Sequence, residues 1–157
     1  MLKGRKNTLK KRLRVLVDTT FLLPALGVEV EEEAEEAIPL FRKIGVYYLE
    51  VGVLEAIWKI LKIVGLENFE RIRIGLEAIR KTYTLAYPPT EAYVSAIGIY
   101  KRGHKDYIDA LYYTTAKVLN LKFLTIDEEF IEFLENNEYD VEDTIITPRE
   151  LKIYLSE

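Results

Sequence analysis

The sequence contains no cysteine and no glutamine, and only one histidine, one methionine and one tryptophan among 157 residues. The lack of cysteine excludes disulfide bonds and thiolate–zinc sites. A single histidine, His104, makes a multi-histidine metal site or a Ser-His-Asp arrangement a poor candidate. No apolar stretch is long enough to span a bilayer, and the first residues lack the apolar core of a signal peptide. Any enzymatic chemistry therefore depends mainly on carboxylates, lysines, arginines and hydroxyls, in a protein that we expect to be cytoplasmic.

The chain does contain enough apolar residues for one globular domain, since hydrophobic residues make up 49% of it. Its charge is uneven, because seven of the 22 basic residues lie within residues 1–14, which contain no acid. We expect a basic N-terminal arm, residues 1–12, followed by a single acidic domain, residues 13–157. Such an arm either contacts a nucleic-acid backbone or is a solvated terminus.

Short apolar segments alternate with helical segments along the chain. Strands are predicted at residues 13–17, 46–49, 84–87, 122–125 and 143–147. Helices are predicted at residues 19–26, 31–44, 51–64, 66–83, 90–102, 106–121 and 128–136, and from Pro148 onward. Strands separated by such helices need crossover connections, so the fold class is α/β: a three-layer α/β/α sandwich with a mostly parallel central sheet of four to five strands. The helix at 51–64 is apolar almost all round and is expected to be buried.

Two acidic residues follow predicted strands. Asp18 ends the run Arg14-Val15-Leu16-Val17, and Asp127 closely follows the strand at 122–125. In open α/β sheets ligands bind outside the carboxyl ends of the strands, and carboxylate oxygens suit Mg²⁺ or Mn²⁺. Each Asp also fits a simpler role as the N-cap of the next helix. Three hydroxyls are available nearby to hold a carboxylate or a water, those of Thr19, Thr20 and Thr125.

Two further acids lie in predicted helices. Glu55 interrupts an apolar stretch one turn before Lys59, and Glu50 competes with it because it stands directly at a strand exit. Asp109 follows Asp106 by three residues, a spacing typical of a helix cap and its first turn, so Asp106 is a cap or a supporting residue. Carboxylates that cluster raise one another's pKa, and a divalent cation offsets the repulsion.

Taken in order, these segments resemble a PIN domain, a family named for the PilT N-terminus. The matching segments are Val15–Thr20, Val53–Ala56, Asp109–Leu111, Thr114–Ala116 and Leu124–Asp127 with Phe130. The resemblance covers residues 13 to 147 and implies an α/β/α fold and an Mg²⁺- or Mn²⁺-dependent ribonuclease. It implies that the metal-binding and catalytic residues are Asp18, Glu55, Asp109 and Asp127. It also implies a VapC-like toxin, with an antitoxin protein as partner and a homodimer as the common assembly.

Single-stranded RNA is the expected substrate, with Lys59, Lys105 or the basic arm contacting its phosphates. A phosphatase of the haloacid-dehalogenase type needs a second Asp two residues after the first, where this chain has Thr20. A receiver domain normally has a pair of acids at the first strand, where only Asp18 is present. The remaining alternative is a non-catalytic PIN-like module that binds RNA or a protein. The presence of all four acids favours the nuclease.

Overall fold

The computed structural model describes residues 12–157, so all but the last residue of the predicted basic arm lies outside it. Within that range five strands form one sheet, in the order β3-β2-β1-β4-β5, and every neighbouring pair is parallel. The strands are β1 (Arg14–Val17), β2 (Gly45–Tyr48), β3 (Thr84–Leu85), β4 (Lys122–Leu124) and β5 (Ile145–Ile146). The predicted parallel α/β sheet is confirmed, although β3 and β5 are only two residues long.

The part of the chain that the structure describes has seven α-helices, none of them both long and apolar enough to cross a membrane. They are α1 (Glu32–Ala37), α2 (Glu50–Ile60), α3 (Phe69–Thr82), α4 (Thr90–Lys101), α5 (Tyr107–Leu119), α6 (Glu128–Asn136) and α7 (Pro148–Ser156). Short 3₁₀ helices occupy Thr19–Leu22, Pro24–Leu26, Ile38–Lys43 and Leu66–Asn68. The prediction for α6 matches both of its ends.

Two predicted helices were wrong in kind. Residues 19–26 form two 3₁₀ helices, and residues 31–44 are α-helical only as far as Ala37. Proline explains both cases, because it has no N–H to donate to the preceding turn. Pro24 begins the second 3₁₀ helix, and Pro39 lies near the start of the one that follows α1.

Alternation along the strands separates two hydrophobic cores, one on each face of the sheet. Val15 and Val17 of β1 face the core formed with α1, α2, α3 and α7, whereas Leu16 faces the core formed with α4, α5 and α6. All three side chains are fully buried. The predicted three-layer α/β/α sandwich is therefore confirmed, with β1 and β4 at its centre.

The expectation that the helix after β2 is buried all round was wrong. Val53, Ala56 and Ile60 of α2 are buried, but Leu54 is 56% exposed and Trp58 is 70% exposed. No described element packs over the outer face of α2, which is the reason for the difference. This exposed face borders an acidic pocket, since Glu55 and Lys59 of α2 line both.

The starts of α5 and α4 differ in whether a side chain caps them. Asp106 caps α5, since its Oδ1 accepts a hydrogen bond from the Asp109 N–H at 3.1 Å. The start of α4 has no side-chain cap, because Thr90 is the first helical residue and Pro89 occupies the cap position. Pro148 starts α7 as predicted.

Candidate active site

An acidic pocket of about 210 Å³ lies at the carboxyl ends of β1 and β4. Its carboxylates come from four parts of the fold: the residue after β1, the loop after β4, and helices α2 and α5. The pocket is lined by Asp18, Thr19, Thr20, Glu55, Lys59, Asp106, Asp109, Tyr112, Ile126 and Asp127. All four acids of the predicted quartet therefore line one pocket, although 109 residues of sequence separate Asp18 from Asp127.

The two acids at the strand ends are fixed by backbone hydrogen bonds. Asp18 Oδ1 accepts from the Thr20 N–H at 2.9 Å, and Asp127 Oδ1 accepts from the Phe130 N–H at 3.0 Å. Capping and a pocket position are compatible, because a carboxylate has a second oxygen. The Thr125 hydroxyl contacts both of these acidic residues. It accepts a hydrogen bond from the Asp127 N–H at 3.1 Å. It also donates a hydrogen bond to the Asp18 carboxylate, which lowers the pKa of Asp18.

Helix α2 brings Glu55, and not Glu50, to the pocket. Glu55 is largely buried, with its Oε1 3.9 Å from the Lys59 ammonium. Glu50 lies outside the pocket, where its carboxylate accepts hydrogen bonds from both terminal nitrogens of Arg80. Gly52 allows this placement, because a Cβ there would overlap the Tyr112 hydroxyl of α5. Glycine at 52 thus lets α2 and α5 approach closely beside the pocket.

Asp109 has a partner that the sequence reasoning missed. His104 Nε2 lies 3.2 Å from Asp109 Oδ2, and the imidazole stacks on Phe130 with the ring centroids 4.4 Å apart. His104 lies in the loop between α4 and α5, whereas Asp109 lies in α5. Because the two residues are not in one helix, helical spacing does not predict their contact. Tyr112 was missed as well, although its position three residues after Asp109 places both on one helix face. Its hydroxyl bonds the hydroxyl of Thr19 at 3.0 Å.

Burial gives the pocket unusual acid–base properties. It raises the pKa of Asp109 to about 8, with further increases from Asp106, Asp127, Asp18 and Glu55. Burial also raises the pKa of Asp18 to about 6, against the hydrogen bonds from Thr125 and Thr20 that lower it. The pKa of His104 is lowered, again because of burial. Near neutral pH these surroundings therefore favour the protonated form of Asp109.

The chemistry of these donors fits a hard divalent cation, which prefers carboxylate oxygens and whose charge would favour ionised Asp18 and Asp109. Among the described residues, no group of three or more acidic or histidine side chains has the arrangement needed to hold a metal ion.

The two predicted phosphate-binding lysines lie in different places. Lys59 lines the acidic pocket and is half exposed. Lys105 does not line it, and its ammonium lies 4.6 Å from the centroid of the Tyr100 ring. The hydroxyls also differ, since Thr20 and Thr125 hold Asp18 whereas that of Thr19 is engaged by Tyr112.

Comparison with known proteins gives one family and several similar folds. The sequence model of the PIN domain family matches residues 15–134. PAE2754 from Pyrobaculum aerophilum has a similar structure, with 19% identity, a TM-score of 0.59, and coverage of 92% of this chain and 96% of that chain. DNA-bound VapBC from Salmonella typhimurium has a similar structure, with 15% identity, a TM-score of 0.58, and coverage of 87% of this chain and 98% of that chain. FitAcB from Neisseria gonorrhoeae has a similar structure, with 14% identity, a TM-score of 0.54, and coverage of 85% of this chain and 97% of that chain. No curated protein sequence matches the chain significantly.

Proposed function

We propose that this chain, which belongs to the PIN domain family, is a metal-dependent ribonuclease that hydrolyses phosphodiester bonds of single-stranded RNA. The observation that carries this proposal is the convergence of Asp18, Glu55, Asp109 and Asp127 on one pocket. A buried cluster of carboxylates is unfavourable in a protein unless something compensates its charge. A catalytic cation does so, and phosphodiester hydrolysis is chemistry that such a cation promotes.

Mg²⁺ or Mn²⁺ is the proposed cofactor, held by the same four carboxylates. When bound, it supplies the Lewis acidity that activates water and stabilises negative charge during phosphodiester hydrolysis. The protein itself orients the carboxylates that would hold the cation. Capping bonds and the Thr125 hydroxyl orient Asp18 and Asp127, and the Asp106 cap fixes the first turn of α5, which carries Asp109.

Contacts to the substrate phosphates are proposed for Lys59, whose ammonium lies beside Glu55 at the pocket. This position keeps a positive charge close to the carboxylates, where a phosphodiester would otherwise be repelled. Lys105 lies outside the pocket, and any contact it makes would be to a more distant part of the RNA.

We further propose that the protein is the toxin of a toxin–antitoxin pair, with an antitoxin protein as partner and a homodimer as its assembly. Similarity of fold to VapBC and FitAcB supports this proposal. Exposed apolar side chains also support a protein partner: Tyr93, Val94 and Ile97 of α4 are all solvent-accessible. A non-catalytic module that binds RNA or a protein remains the alternative function.

The test is cleavage of a labelled single-stranded RNA by the full chain with Mn²⁺, with Mg²⁺ and with chelator. We expect cleavage only with metal, and we expect Asp18→Asn and Asp127→Asn each to lower it by more than about 100-fold, the most that outer-shell changes typically cost. Glu50→Gln is the matched control, because it neutralises a nearby acid outside the pocket, and it should keep full activity. Cleavage in chelator, or full activity in Asp18→Asn, would refute the proposal. Binding of RNA without cleavage under any metal condition would favour the non-catalytic module.

A further inference from the structure

A second groove, of about 530 Å³, adjoins the acidic pocket along the outer face of α2. Glu55 and Lys59 line both cavities, so the two are adjacent. Trp58, Leu54 and Lys62 of α2 line the groove, with Ile108 of α5 opposite. We call it the tryptophan groove.

Trp58 is the chain's single tryptophan, and it is 70% exposed. It lies one turn after Glu55, so its indole is on the side of α2 that carries the pocket acid. Leu54, next to it in the groove, is 56% exposed. A large aromatic ring and an aliphatic side chain exposed together are characteristic of a binding surface, because leaving them in water forgoes the gain from burial.

The charge of the groove favours a polyanion as the occupant. Lys59 and Lys62 line it, and Glu55 is the acid at the end where it joins the pocket. A second copy of the chain is disfavoured, because a two-fold contact would bring the lysines of one copy toward the same lysines of the other. Single-stranded nucleic acid suits such a surface, since its bases stack on aromatic rings and its phosphates pair with cations.

We propose that the tryptophan groove binds the nucleotides of single-stranded RNA that flank the cleaved phosphate, with Trp58 stacking on a base and Lys62 contacting a phosphate. This inference rests on the proposed nuclease function, because it takes the RNA to run from the groove into the acidic pocket. Leu54 and Ile108 provide the apolar wall against which a base face packs. The groove would set binding strength and the length of RNA required, whereas the acidic pocket carries the chemistry.

The sole tryptophan makes the test direct. The full chain is titrated in chelator, so that no cleavage occurs, with a uniform single-stranded RNA such as a 12-residue oligouridylate of about the length that one such site covers. We expect saturable quenching of the Trp58 fluorescence, with the same Kd as the anisotropy of the labelled RNA. Trp58→Ala should weaken binding by about 5- to 150-fold, and Trp58→Phe should restore most of it. Lys62→Ala should make the salt dependence of log K shallower by about 0.7.

Phe69→Ala is the matched control, because Phe69 is also an exposed aromatic residue but lines a different groove, between α2 and α3. It should leave the Kd unchanged. The inference would be overturned if RNA left the Trp58 fluorescence of the parent protein unchanged and Trp58→Ala bound RNA with the parent's Kd. Metal-dependent cleavage by the parent protein would in that case leave the nuclease proposal intact. Fluorescence that responds to protein concentration and not to RNA would also overturn it, in favour of a second copy. Quenching by RNA with no cleavage under any metal condition would instead refute the nuclease and leave the groove as an RNA-binding surface.

Discussion

Asp109 is the pocket carboxyl group whose ionisation depends most on its surroundings. Its carboxylate lies 3.2 Å from His104. Burial raises its pKa to about 8, with further increases from the surrounding acids. Folding therefore favours the protonated carboxyl group, in contrast to the unfolded chain, where the group ionises near pH 3.8. A cation reverses this preference, because it attracts the ionised form.

The metal-free protein should lose stability as the pH rises. Since the pKa of Asp109 is higher in the folded state, its contribution is fully present below about pH 4 and is lost by about pH 8. We expect Asp109→Asn to have a higher Tm than the parent in chelator at about pH 8.5 and a flatter profile above about pH 5. Each kcal/mol gained corresponds to a rise of about 2–4 °C for a chain of this size.

Asp140→Asn is the control of opposite sign for that measurement. Although its own desolvation acts to raise it, the pKa of Asp140 is lowered overall by hydrogen bonds from the Asp143 N–H and Thr144 and by the Lys117 charge. Its contribution to stability is therefore present at neutral pH and lost only in acid. The variant should be less stable than the parent at pH 7 and should keep the downward slope at higher pH. A flat profile in the parent protein would show that Asp109 does not carry the predicted penalty.

Residue types and strand positions were enough to predict that Asp18 and Asp127 lie at one pocket, because the residues that follow central parallel strands lie at the carboxyl edge of the sheet. Glu55 was preferred to Glu50, which also fits as an exposed acid at a helix N-terminus, but no sequence pattern fixed the geometry that decides between them. It depends on how α2 is rotated, and that rotation follows from the contact between Gly52 and Tyr112 across 60 residues of chain. His104 was unpredictable for a similar reason, since a loop brings it to Asp109.

At the scale of elements, alternation of strand and helix predicted the sheet well, but apolarity alone misjudged α2. Its pattern indicates burial on every side, whereas the structure leaves Leu54 and Trp58 exposed on its outer face. A sequence pattern states how much of a helix is apolar, and the neighbouring elements decide how much is covered. The exposed face of α2 is where we propose that RNA binds, so this failed expectation coincides with a candidate interface.

The packing of α3 against the 3₁₀ helix at Pro24–Leu26 depends on one glycine. Gly75 is buried, and a Cβ there would overlap the backbone carbonyl of Ala25, which a rotamer change cannot relieve. We expect Gly75→Ala to destabilise the protein by about 1–3 kcal/mol, as other overpacked sites do. The measurement is the free energy of unfolding in urea.

Gly98→Ala, in α4, is the matched control. Gly98 is exposed, and nothing lies within 4 Å of a Cβ built there. Since alanine is the better helix former, this variant should gain about 0.5–1 kcal/mol. Two variants with the same chemical change should therefore move in opposite directions. Equal effects would mean that α3 can shift away from Ala25, and that the close approach does not hold the two elements in register.

For the molecule as a whole, the main electrostatic feature is the contrast between an acidic domain and a basic start. The chain has a formal net charge of −4, yet residues 1–14 carry seven basic residues and no acid. An acidic domain with an acidic pocket repels RNA at long range, and a cluster of cations elsewhere in the chain offsets that repulsion. All but the last residue of the predicted arm lies outside the described residues, so its role follows from charge alone and stays a prediction.

A chain that begins at Arg12 tests this role. It lacks Lys3, Arg5, Lys6, Lys10 and Lys11, and it keeps every residue of the acidic pocket and the tryptophan groove. We expect weaker binding to single-stranded RNA in chelator and a shallower salt dependence, by about 0.7 in the slope of log K for each phosphate that the arm no longer neutralises. Since the pocket is intact, cleavage at saturating RNA with metal should be unchanged, so that the effect appears in KM and not in kcat. An unchanged salt slope would show that the arm binds no phosphates, and a fall in kcat would show that it acts in the pocket itself.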